Sequence, residues 1–163
     1  NETGLSVPAS VAFVSVDFER QALAPRLLAA GFDPQRPAFF MWLGVVPYLR
    51  PEAIAATLRD IAATADAEVV FDYSEPLENY PPDRRPAMAA LSARAEETGE
   101  PWLSHFDPAE IARELGGAGF TDQEDIGLAE IMVRYLGMDP GQVPRGPGPH
   151  VIRARRAART AAS

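Results

Sequence analysis

Asp17, Tyr48, Asp72 and Tyr73 are polar or aromatic residues left standing where apolar runs end. In an open α/β sheet such positions border the ligand crevice. An ionised carboxylate only accepts hydrogen bonds, so Asp17 would select a donor, with capping of the next turn as the plain alternative. Asp72 is the nearest group able to take a proton as general base, and a cap or loop hydrogen bond is its structural alternative. Arg134 and Tyr135 suit an anionic group, although an ion pair between helices explains the arginine at least as well.

Other chemistries lack their residues. There is no cysteine, which excludes disulfides, thiolate metal sites and cysteine nucleophiles. His105 and His150 are far apart and neither has a second ligand at helical spacing, which disfavours zinc. No Gly-x-Ser-x-Gly elbow occurs, and Ser104-His105 reads as a loop before a helix cap. Asp122, Glu124 and Asp125 read as a solvated strand edge, since calcium-loop spacing is absent. Arg153 to Arg159 reads as a frayed, solvated tail.

The elements that must position these residues follow from periodicity. Ala38 to Val46 is almost continuously apolar, which predicts a strand covered on both faces and ended by Pro47. Pro51 suits a first helical turn, and Ile54, Leu58 and Ile61 form one apolar stripe. Glu68 to Tyr73 should then return parallel to the first of these strands, bringing both C-terminal ends to one edge. Val11 to Val16 is expected as a strand before Asp17, and Gln21 to Ala30 as a helix with Leu23, Leu27 and Leu28 inward. The segment from about 74 to 106 reads as an insertion carrying a helix over Ala87 to Thr98. Asp107-Pro108-Ala109-Glu110 is a helix start, with the aspartate as cap. A strand over Phe120 to Ile126, a helix over Leu128 to Leu136 and a last strand over His150 to Arg155 complete an α/β pattern.

A chain of 163 residues, 47% hydrophobic and without visible repeats, suffices for one domain with a core. The net charge of −8 argues against nucleic acid or an anionic membrane as partner. All 15 basic residues are arginine, which fits genomic base composition better than a mechanism. No apolar run is long enough to span a bilayer and no signal peptide is visible, so a cytoplasmic location is the default expectation.

Several strings, taken in order, carry a resemblance: Phe13-Val14-Ser15-Val16-Asp17-Phe18, Gly31-Phe32-Asp33, Trp42-Leu43-Gly44-Val45-Val46-Pro47-Tyr48-Leu49, Val70-Phe71-Asp72-Tyr73, Gly99-Glu100-Pro101-Trp102 and Arg134-Tyr135. Together they resemble the leucine carboxyl methyltransferase-like group of S-adenosylmethionine-dependent methyltransferases, and within it the actinobacterial branch. The resemblance implies a Rossmann-like class I sheet, S-adenosyl-L-methionine as cofactor, and methyl transfer to a carboxylate or hydroxyl oxygen of a small-molecule or carboxylate-bearing substrate. It implies that Asp17 accepts from the adenine amino group, that Phe18 lies against the ring, and that Trp42 and Gly44 line the cofactor pocket. Trp42 has core packing as an equal alternative. Leu43 stands where many members carry a glutamate, so that glutamate's role has no counterpart here. On the substrate side the resemblance leaves Tyr48, Asp72, Tyr73, Arg134 and Tyr135, with Asp72 and Tyr73 as catalytic candidates.

Such enzymes hold the methionine end and ribose by a glycine-rich turn after the first strand and an acidic residue after the second. Gly116 to Gly119 follows a helix and cannot serve as that turn. The expectation is a C-terminal part of one methyltransferase domain over 1–163, from the third strand onward, which would leave Val11 to Val16 without a sheet neighbour. The missing N-terminal half would then come from elsewhere, or the chain would be a non-catalytic binding or assembly module. In either case an unpaired central strand invites self-association into a homo-oligomer.

Overall fold

The computed structural model describes residues 7–143 and 145–156. Four strands, β1 (Phe39–Trp42), β2 (Glu68–Ser74), β3 (Phe120–Gly127) and β4 (Pro149–Arg156), form one mixed sheet in the order β1-β2-β4-β3. Five helices accompany them: α1 (Leu23–Ala29), α2 (Pro51–Ala62), α3 (Arg85–Glu97), α4 (Pro108–Ala118) and α5 (Leu128–Leu136). The α/β class follows the sequence expectation. The last strand adds something periodicity could not supply: β4 inserts antiparallel between β2 and β3.

The β1–α2–β2 unit forms as its residues predict. Phe39 to Trp42 pair in parallel with Glu68 to Phe71, and α2 crosses between them with Ile54, Leu58 and Ile61 buried. Along β2 burial alternates residue by residue, with Val69, Phe71 and Tyr73 on the covered face. Those side chains join Trp42, Val46, Ile111, Leu115, Phe120 and Ile152 in the core. Burying such side chains is worth roughly 1.5–3 kcal/mol each. Asp107 caps α4, accepting from the Ala109 N–H at 2.9 Å, and Gly119 ends that helix with φ +97°. Only glycine takes that conformation without strain.

Four expectations require correction. The strand within 38–46 is only four residues long and covered on one face, since Phe39 is 61% and Met41 72% exposed. Val11 to Val16 forms no strand; it has no sheet neighbour among the described residues, and Phe13 stands 84% exposed. In α1 no residue is fully buried and Leu28 is half exposed, because the helix lies at the rim of the core. Arg153 to Arg156 belong to β4, with Arg153 to Arg155 paired on both sides and Arg156 paired with Phe120, whereas 157–163 lie outside the described residues.

Candidate functional site

The parallel β1–β2 pair brings Gly44 and Asp72 together just past β1. Asp72 Oδ1 accepts a hydrogen bond from the Gly44 N–H at 2.5 Å. Gly44 has φ +69°, and nothing among the described residues lies within 4 Å of where a Cβ would stand. Val46 to Tyr48 then make one 3-10 turn, leaving Tyr48 38% exposed at the mouth.

Phe18 packs on Trp42 with ring centroids 5.5 Å apart, and Trp42 meets Phe71 edge-on at 6.2 Å. Trp42 is 7% exposed, so its core reading holds in this structure, yet its Nε1 is buried without an acceptor among the described residues. A buried donor left unpaired costs about 1–3 kcal/mol. The turn carrying Asp17 and Phe18 is fastened by Glu19, whose carboxylate accepts from the Arg50 N–H at 2.7 Å and from its Nε at 2.8 Å. The backbone bond from Arg50 is the main reason the Glu19 carboxyl lies below its usual value. Asp17 is half exposed; its Oδ1 accepts from the Glu19 N–H and its carbonyl from Gln21, so it does cap this turn. Asp17, Phe18, Trp42, Gly44, Tyr48 and Asp72 thus fall on the β1 side of the sheet.

Tyr73 does not join them. It is 1% exposed, on the covered face, and its hydroxyl donates to Asp125 Oδ2 at 2.5 Å. Burial first, then the Asp125 carboxylate, push its phenol well above the ordinary value. A hydroxyl so enclosed cannot reach a substrate, which corrects its assignment as a catalytic candidate. Arg134 and Tyr135 lie on α5, beyond β3 at the opposite sheet edge. Arg134 is engaged by Glu124 at 2.7 Å and Glu130 at 2.5 Å, which realises the ion-pair reading, here between helix and strand. Its anion-binding role is thereby displaced.

His150 was not legible as part of any constellation. Its Nδ1 lies 3.0 Å from Asp125 Oδ1, its Nε2 3.1 Å from Glu75 Oε1, and its ring stacks on Tyr73 at 4.9 Å. Asp125 therefore faces inward, contrary to the solvated edge expected for it; Asp122 and Glu124 instead pair with Arg153. The sequence separations of 25 and 75 residues left no local signal.

The end of the insertion ties the two sides together. Leu103 and Ser104 N–H groups donate to the Pro47 carbonyl at 2.7 and 3.3 Å, Ser104 Oγ to the Val46 carbonyl, and the Phe106 N–H to Ser74. Residues 103–106 thus bridge the turn after β1 and the end of β2.

Residues 1–62 match the family model of leucine carboxyl methyltransferase. Asp17, Phe18, Trp42, Gly44 and Tyr48 fall inside that match; Asp72, Tyr73, Arg134 and Tyr135 fall outside it. No curated protein matches the chain. Among solved structures, a possible exported protein from Bordetella parapertussis superposes with a TM-score of 0.51 at 15% identity, covering 81% of this chain and 46% of its own. It shares the fold. Human N-acetylserotonin methyltransferase in complex with SAM gives 0.49 at 15% identity, covering 95% and 36%. Magnesium protoporphyrin IX methyltransferase from Synechocystis, with bound SAH, gives 0.43 at 14%, covering 76% and 46%. These two likenesses are too loose to carry more. The chain spans less than half the length of each of these structures. No helix among the described residues is long and apolar enough to cross a membrane.

Proposed function

We propose that this chain is the C-terminal part of an S-adenosylmethionine-dependent methyltransferase that acts on an oxygen acceptor. The observation that carries the reading is the meeting of Asp72 with the Gly44 N–H beside the Phe18–Trp42 pair, in and next to the segment matched by the leucine carboxyl methyltransferase family. The residues present fit the adenine side of S-adenosyl-L-methionine. Asp17 retains acceptor capacity in a half-exposed carboxylate, Phe18 offers an apolar face, and Gly44 leaves room at the strand end. A glycine-rich turn from strand to helix, which would hold the ribose and methionine end, is not among the described residues, so that part falls to an N-terminal half.

When bound, the cofactor supplies an electrophilic methyl group on a sulfonium. The chain's part is to align an oxygen lone pair with it and keep water out. The bound cofactor would give up that methyl group to the acceptor oxygen and keep the carbon–sulfur electron pair on its sulfur. A carboxylate acceptor needs no base; a hydroxyl gives its proton to Asp72, whose Oδ2 has no hydrogen-bond partner among the described residues. Tyr48, exposed at the turn, borders the acceptor.

One observation favours a second reading, a binding or assembly module without catalysis: the outer edge of β1 has no strand partner among the described residues. Calorimetric titration with S-adenosylhomocysteine separates the two. Micromolar binding that weakens in Asp17→Ala supports the enzyme. A folded chain that does not bind even when supplied with an N-terminal half of a leucine carboxyl methyltransferase would sink that reading.

A further inference from the structure

Helix α3 covers a cleft without filling it. None of its 13 residues is buried, and between it and the chain leaving β2 lies a space of about 430 Å³. That size falls within the roughly 300–1,000 Å³ of small-ligand sites. Leu77, Met88 and Trp102 supply apolar walls. Tyr80 also lines the cleft; it is 2% exposed, and its hydroxyl is buried with no partner among the described residues. An enclosed hydroxyl without a partner, in the wall of an unfilled space, is the mark of a site completed by something else.

The charge of the lining has one sign. Glu75, Glu78 and Glu96 border the cleft, and no arginine among the described residues does. Glu75 is already engaged by His150, Asn79 and the Gly148 N–H. The carboxylates of Glu78 and Glu96 have no partner among the described residues. Burial lowers His105 against the opposing pull of Glu78, so its imidazole adds no lasting positive charge at neutral pH. The nearby Arg85 is taken up by the carbonyls of Tyr80 and Glu78, while Arg84 lies over the Tyr80 ring, 5.7 Å from its centroid. Two uncommitted carboxylates in the lining that also holds Trp102 favour a cation and repel an anion.

We propose that this cleft is the acceptor pocket and that it takes a small molecule with an apolar body and an ammonium group, methylated on a hydroxyl oxygen. The inference rests on the methyltransferase reading above and decides between its two kinds of acceptor, against the carboxylate. Residues 103–106 form the link, since they run from the Trp102 wall to the Pro47 carbonyl beside Tyr48.

Calorimetric titration of the full chain with 2-phenylethylamine, 2-phenylethanol and 3-phenylpropionate tests it. The amine should bind about tenfold more tightly than the alcohol and the acid least, a difference matching one partly screened charge contact. Glu78→Gln combined with Glu96→Gln, both on exposed positions, should bring the amine down to the alcohol's affinity and leave the alcohol unchanged. Equal affinity for amine and acid, an amine unaffected by the double substitution, or no probe binding by a folded chain would each overturn the proposal. Parallel titration with S-adenosylhomocysteine keeps the readings apart. Amine binding without nucleoside binding, even with an N-terminal half supplied, would leave a cation site and remove the enzyme; the reverse would retain the enzyme and remove this pocket.

Discussion

Asp72 accepts the Gly44 N–H at 2.5 Å, so a carboxylate near the C-terminal end of β2 fixes the backbone just past the end of β1. A charge-assisted bond of this kind contributes roughly 1.5–3 kcal/mol when buried, and less at this exposed position. Asp72→Ala should therefore cost about 1 kcal/mol in urea unfolding. Asp72→Asn, which keeps an acceptor, should cost less while still removing proton transfer from a hydroxyl acceptor.

Gly44→Ala tests the same junction differently. No atom lies near the new methyl group, so any loss comes from the backbone at φ +69° alone. We expect about 1–2 kcal/mol of destabilisation. A neutral result would show that this turn relaxes out of the left-handed region.

The Glu75–His150–Asp125 bridge makes stability depend on pH. Burial pushes the His150 imidazolium down, but the hydrogen bonds and charges of Asp125 and Glu75 outweigh it, and the group lies above 6.5. A folded value above the unfolded one means that the stabilisation is complete below pH 6.5 and is lost as pH rises through the higher folded value. Unfolding midpoints measured from pH 5.5 to 9 should fall over that window in the parent chain and flatten in His150→Gln. An unchanged slope in the variant would assign the pH dependence elsewhere.

Four tyrosines give a second titration. Burial, then Asp125, raise Tyr73, and burial with Glu75 raises Tyr80, so both phenols should ionise late in an alkaline absorbance titration. Tyr73→Phe should remove the latest component. It should also cost about 1–3 kcal/mol, because Asp125 loses a donor inside the fold.

The free side of β1 predicts association. Phe39 and Met41 expose apolar side chains next to an edge without a strand partner among the described residues. Sedimentation should show a concentration-dependent dimer, weakened by Met41→Glu, and a strictly monomeric parent chain would refute the prediction.

Much of this architecture was legible because it is local. The stripe Ile54, Leu58, Ile61 and the Asp107 cap each lie within one or two helical turns, and α2 and α4 form where those signals stand. Apolar content alone does not tell one covered face from two, so the pattern places Phe39 and Met41 inside although both are exposed. Val11 to Val16 has strand composition, but a strand exists only with a partner. Asp72 was legible as a candidate because it lies near the C-terminal end of β2, whereas the hydroxyl of Tyr73 is engaged by Asp125, 52 residues later.

The clamps at Pro47 and Ser74 have a consequence for how this protein can vary. Because the chain departs after β2 and is captured again at residues 103–106, the stretch between can lengthen, shorten or be replaced while both anchor points stay put. Doubling a flexible loop costs only about 0.6 kcal/mol in closure entropy. The insertion with α3 is therefore an exchangeable cassette: new binding preferences can be grafted there without redesigning the sheet that carries it.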